Sequence, residues 1–175
     1  MAAWDRAYVQ VYTGDGKGKT TAALGLALRA AGAGLRVFIA QFAKGTEAAE
    51  LASLARFADL VTVRQYGLRR FLRAPPAPED IAAAREGLRE AREAVVSGRW
   101  DVVILDEANI ATHFGLFTVE ELLEVVDRAT GRVEIVVTGR KADPRLLERA
   151  DLVTEMREVK HYYAKGAAAR RGIEH

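Results

Sequence analysis

Apolar positions fall along the chain in two kinds of stretch that take turns. Short stretches rich in β-branched and aromatic residues read as strands: Tyr8 to Tyr12, Arg36 to Gln41, Leu60 to Tyr66, Val102 to Leu105, Val133 to Thr138 and Asp151 to Met156. Between them, helical spacing runs over Lys19 to Ala31, Glu47 to Phe57, about Glu79 to Ser97, Val119 to Ala129 and Asp143 to Arg149. In the longest of these, Ile81, Ala84, Leu88, Ala91 and Val95 share one face. Unbroken apolar runs such as Val102-Val103-Ile104-Leu105 suit strands covered on both faces, and so a parallel sheet. Regular alternation of strand and helix predicts an α/β fold, a three-layer sandwich around a mainly parallel sheet. In such a sheet ligands bind at the carboxyl ends of the strands. Gly67 to Pro78 is the one irregular stretch, broken by Pro75, Pro76 and Pro78. The segment 159–175 has little core character and is expected to be a loop or a mobile tail. At 175 residues the chain suits a single domain, 1–175.

The first strand runs into Thr13-Gly14-Asp15-Gly16-Lys17-Gly18-Lys19-Thr20-Thr21, and a helix follows at once. That is the setting of a P-loop. Glycines allow the backbone to turn its N–H groups inward on a phosphate. The helix N-terminus adds donors and a positive end. Lys19 supplies a point charge, and the Thr20 hydroxyl can reach a Mg²⁺ ion. The strict pattern asks for glycine where this chain has Thr13; Gly14 and Gly16 supply the turn instead.

The most apolar strand delivers Asp106 and Glu107 to its carboxyl end. A carboxylate there can hold Mg²⁺ beside phosphates; Asp106 could instead cap the next helix, but the phosphate loop upstream favours the metal role. Which of the two touches metal is open at this level. Asn109 either faces the same cleft or caps locally. After the strand ending at Thr138, Arg140 is placed to fork onto phosphate oxygens or to sit in a surface turn.

Composition narrows the chemistry. Half of the residues are apolar, 29% are charged and the net charge is +2, so nothing calls for nucleic acid or an anionic membrane. There are no cysteines, which excludes disulfides, zinc-thiolate sites and cysteine nucleophiles. Met1 to Ala7 lacks a signal-type apolar core, and no apolar run is long enough to span a bilayer. The expectation is a soluble, cytoplasmic protein. His113 and His161 have no evident carboxylate partner, so no acid–base dyad is offered.

These residues resemble the ATP:corrinoid adenosyltransferases of the P-loop type. The resemblance rests on Val11 to Ala23, on Gln41-Phe42-Ala43-Lys44-Gly45, on Asp101 to Ala111, on Val137 to Arg140 and on Ala150 to Arg157, with Val159-Lys160-His161 after it. Threonine ahead of Gly14 is itself that family's form. The resemblance implies a P-loop NTPase fold related to RecA. It implies attack of corrinoid Co(I) on the ribose 5′ carbon of ATP, held in an orientation reversed from most P-loop enzymes, with intact triphosphate leaving. By the same resemblance, Gly14, Asp15, Gly16, Lys17, Gly18, Lys19, Thr20 and Thr21 bind the triphosphate, and Arg140 assists. Thr20 and Glu107 are the implied Mg²⁺ ligands, with Asp106 beside them. On the corrinoid side the candidates are Phe71, as a shield over the cobalt, with Asn109 and His161; the stretch Tyr66 to Phe71 reads equally as a basic surface loop. The family is usually a homodimer and depends on a reductase to supply Co(I).

Two other readings share the loop. A small nucleoside kinase would use Lys19, Thr20 and Asp106 but needs an acceptor site and a base. A hydrolase or ATP-dependent switch needs a residue to position water, for which only Glu107 is available. Reaction products separate the three.

Overall fold

The structure is a computed structural model that describes residues 4–43, 49–68, 75–129 and 131–174. The chain alternates strand and helix throughout. β1 (Val9–Thr13) leads to α1 (Lys19–Gly32), and β2 (Val37–Phe42) to α2 (Ala49–Leu54), which ends in a 3₁₀ turn over 55–57. β3 (Val61–Tyr66) precedes α3 (Pro78–Val96), and β4 (Val102–Asp106) runs directly into α4 (Ala108–His113). α5 (Val119–Asp127), β5 (Glu134–Thr138), α6 (Pro144–Arg149) and β6 (Leu152–Glu155) complete the series.

All six strands join one parallel sheet in the order β3-β2-β4-β5-β1-β6. Successive side chains point to opposite faces, so each strand feeds two cores. On one face Val37, Ile39, Ile104 and Val136 meet Ala23, Ala27, Ala30 and Ala31 of α1. The small alanine face lets α1 lie close to the strands. On the other face Phe38, Phe42, Leu105, Ile135 and Val137 pack with Ala84, Leu88 and Ala91 of α3 and Leu122 and Val125 of α5. This is the three-layer sandwich expected, and its sheet is parallel throughout.

Local chemistry sets the helix starts. Pro78 opens α3 at a position where its missing N–H costs nothing, and the Asp80 carboxylate accepts the Ala77 N–H at 3.2 Å. Pro78 thus belongs to the helix and not to the irregular stretch before it. Thr118 and Glu121 cap each other at α5, and Asp143 caps α6 by accepting the Arg145 N–H at 2.9 Å. Two elements differ from the sequence reading. The helix expected over Glu47 to Phe57 is described only from Ala49 and tightens to 3₁₀ at 55. α4 was not expected: at six residues it is too short for apolar spacing to declare it.

No helix among the described residues is long and apolar enough to cross a membrane. After β6 the chain does not leave the body. A 3₁₀ turn over Tyr162–Lys165 and the residues to 174 run back toward the loop after β1.

Candidate functional site

Strand order brings the carboxyl ends of β1, β4 and β5 side by side, and the loops leaving them build one cleft. Its volume is about 810 Å³. Lys19 and Thr20 at the start of α1, Glu107 after β4 and Arg140 after β5 all line it.

The loop after β1 has the conformation its glycines permit. Gly14 and Gly18 take φ of 92° and 119°, a region that strains side-chain-bearing residues. Gly16 is needed for space: a Cβ there would lie 2.7 Å from the Met156 carbonyl oxygen. The Gly16 N–H donates to that oxygen at 2.7 Å, and the Met156 N–H donates to the Thr13 carbonyl at 2.8 Å. The strand end after β6 therefore fastens one flank of the loop. Gly18 stands at the N-cap of α1, so the helix opens its free N–H groups toward the cleft.

Lys19 is buried, and its ammonium donates to the carbonyls of Gly14 and Gly16, both at 2.7 Å. Burial pushes its pKa below the ordinary lysine value, and the nearby Arg140 charge pushes the same way; Glu107 and Asp15 oppose them. Two cations converging on one cleft, one of them desolvated, make a site that gains by taking up an anion.

The structure divides the two carboxylates that the sequence left undivided. Asp106 is wholly buried at the end of β4. Its Oδ1 accepts the hydroxyls of Thr20 at 2.8 Å and Thr138 at 2.7 Å, and its Oδ2 accepts the Gln41 amide at 3.1 Å. Glu107 follows with φ 61°, an uncommon conformation for a residue with a side chain, and lines the cleft.

Asn109 is also wholly buried. Its Nδ2 donates to the Gly139 carbonyl at 2.9 Å, which ties α4 to the turn that carries Arg140. It thus takes the local structural role and does not open onto the cleft. His161 does line the cleft, its Nδ1 accepting the Tyr163 N–H at 3.0 Å. Phe71 lies outside the described residues, as do Lys44 and Gly45. His113 closes α4 against Phe114, away from the cleft lining.

Sequence reasoning missed several residues here. Thr138 and Gln41 hold Asp106 from neighbouring strands. Gln41 had a usable signal, since an amide ending the apolar run Val37 to Ala40 is a polar group destined for burial. Gly172, Ile173 and Glu174 form part of the cleft wall, and Lys17 Nζ donates to the Ile173 carbonyl at 2.9 Å. Their separation from the loop in sequence left no local sign. Among the described residues no cluster of three carboxylate or imidazole groups forms a ready metal cage.

A parallel sheet with a glycine-rich loop after its first strand, a buried aspartate at the end of an apolar strand and an arginine lining the same cleft defines a protein of the α/β class with a P-loop fold. Comparison with known proteins resolves the class further. Residues 5–175 match the family model described as ATP:corrinoid adenosyltransferase BtuR/CobO/CobP. The corrinoid adenosyltransferase of Pseudomonas aeruginosa is 34% identical over 171 residues, covering 97% of this chain and 84% of that protein. That of Escherichia coli is 32% identical over 176 residues, covering 98% and 87%. Corrinoid adenosyltransferase CobA of Salmonella typhimurium is 33% identical over 172 residues, covering 98% and 87%. The chain belongs to the ATP:corrinoid adenosyltransferase family, and it is an adenosyltransferase of cobalamin biosynthesis.

Proposed function

We propose that the chain transfers the 5′-deoxyadenosyl group of ATP to the Co(I) centre of a reduced corrinoid and releases the triphosphate intact. The reading is carried by one observation: Lys19, Thr20, Glu107 and Arg140 line a single cleft at the mouth of the phosphate loop. In the reaction the cobalt electron pair forms the cobalt–carbon bond. The bond between the 5′ carbon and its oxygen breaks, and the triphosphate leaves with that pair. Cobalt rises from Co(I) to Co(III), so no protein base is required. The chain's task is to hold the ribose carbon in line and to stabilise the departing polyanion.

The residues fit those tasks. Backbone N–H groups along Gly14 to Thr21, other than that of Gly16, which donates to Met156, join Lys19 and Arg140 in cradling the triphosphate. The donor set also fits Mg²⁺. Thr20 gives its proton to Asp106 and lines the cleft, and Glu107 stands in the same wall. Asp106, buried behind Thr20, would act by orienting that hydroxyl. A hydroxyl, one carboxylate and substrate oxygens form a usual Mg²⁺ shell, with no all-protein cage needed. When bound, the ion neutralises charge on the phosphates. His161 stands at the cleft edge as the described residue for a corrinoid contact, and Phe71 is proposed as the shield over cobalt. A cytoplasmic homodimer served by a reductase completes the proposal.

The test is anaerobic incubation of the protein with ATP, Mg²⁺ and chemically reduced corrinoid. A photolabile cobalt–carbon absorption and one intact triphosphate per turnover, seen by phosphorus NMR, are expected. ADP with a phosphorylated acceptor would mean a kinase instead, and ADP with free phosphate a hydrolase.

A further inference from the structure

We propose that Thr138 is a positioning residue: its one hydroxyl sets the geometry of both metal-facing groups, Thr20 and Glu107. The proposal rests on the reading of those two side chains as the Mg²⁺ donors. Thr138 ends β5 and is wholly buried. Its Oγ1 donates to Asp106 Oδ1 at 2.7 Å and accepts the Glu107 N–H at 3.0 Å. The hydroxyl therefore uses its proton on one neighbour and a lone pair on the next.

Each bond has a separate consequence. The Asp106 oxygen that Thr138 holds is the same one that accepts the Thr20 hydroxyl at 2.8 Å. Fixing that carboxylate fixes the direction of the Thr20 proton and so the orientation of the Thr20 hydroxyl. The Glu107 N–H belongs to the residue in left-handed conformation, φ 61°. Such a backbone holds only when its surroundings over-determine it. Thr138 supplies a hydrogen bond from outside the strained turn, across a sequence separation of 31 residues. The next residue, Gly139, is also gripped: a Cβ there would lie 2.9 Å from the Asn109 Cβ, and Asn109 Nδ2 donates to its carbonyl. The end of β5 is thus a rigid post against which the loop after β4 is aimed.

Thr138→Val keeps the shape and removes the hydroxyl, Thr138→Ala avoids placing a methyl group in its site, and Thr138→Ser keeps the hydroxyl. The measurement is calorimetric titration of ATP into the full chain, with Mg²⁺ and with EDTA, together with the Mg²⁺ concentration that half-saturates turnover. Wild type is expected to bind ATP more tightly with Mg²⁺. Thr138→Val and Thr138→Ala are expected to lose about tenfold or more of that Mg²⁺-dependent gain, a usual effect of removing an outer-shell partner. Binding in EDTA should stay within about twofold, as the phosphate loop is untouched, and Thr138→Ser should restore the gain. In a Glu107→Gln background Thr138→Val should still reduce the Mg²⁺-dependent gain, but by less than in wild type, because only the route through Asp106 and Thr20 remains. Equal loss with and without Mg²⁺, or no rescue by serine, would overturn the proposal and leave Thr138 a mere packing residue. Unchanged Mg²⁺ dependence in Thr138→Val, with wild type responding, would overturn it alone. A wild type indifferent to Mg²⁺ would overturn the metal-ligand reading and this inference with it.

Discussion

Lys19 carries the sharpest expectation of any single residue. Its ammonium is buried, donates to two loop carbonyls and shares the cleft with Arg140. Lys19→Ala should weaken ATP binding about 10- to 100-fold, the equivalent of about 1.5–3 kcal/mol for a lost charged hydrogen bond. Calorimetry checks it, and a variant that binds ATP like wild type would remove Lys19 from the site. A pH effect goes with it. In the free protein the Lys19 pKa is depressed below 10.5, first by burial and then by Arg140. A bound polyanion favours the charged form, so the bound-state pKa lies higher. Affinity is then fully present below the free-state pKa and falls as pH rises through it. The fall should begin at lower pH than an ordinary lysine would give, with proton uptake on binding in that window. The sign for stability is opposite: the unfolded chain binds the extra proton, so this group's cost to the fold is relieved as pH rises.

At the scale of elements, α3 lies on the sheet through a glycine. A Cβ on Gly87 would stand 2.5 Å from the Tyr66 ring and 2.9 Å from the Phe42 ring. Alanine is the better helix former by about 1 kcal/mol, so propensity alone makes Gly87→Ala stabilising. Overpacking costs about 1–3 kcal/mol and should win, because the ring atoms belong to buried side chains of β2 and β3. Urea unfolding should show a lower midpoint with an unchanged slope; a higher midpoint would mean that α3 sits farther from the sheet. The same scale shows where the sequence was legible. β4 and α3 announce themselves, one by four consecutive apolar residues and the other by nineteen residues of helical spacing. α4 does not, because six residues hold less than two turns and no periodicity can form.

The whole molecule closes its cleft with pieces far apart in sequence. The loop after β1 meets Met156 and Arg157 behind it and Gly172 to Glu174 at its side. ATP with Mg²⁺ should therefore slow amide exchange in 14–21 and in 161–174 together, while α5, on the other face of the sheet, changes little. Ligand at about a hundred times Kd should add about 2.7 kcal/mol, worth about 5–10 °C in Tm for a chain of this size. Protection confined to the phosphate loop would show that the C-terminal segment takes no part in the site.

Sequence by itself determined whatever depends on neighbours along the chain. The strand–helix alternation, the glycine-rich loop before α1 and the apolar strand that delivers two carboxylates are all local patterns, and the family resemblance rests on them. Tertiary structure decided what depends on residues brought together from a distance. Thr20 and Asp106 are 86 positions apart, and Asp106 and Thr138 are 32 apart. Only their meeting assigns Asp106 to the buried interior and Glu107 to the cleft, and only the return of the chain after β6 makes its last residues a wall. A hydrogen bond between remote residues has no period or spacing to betray it; it exists once the sheet has set the strands side by side.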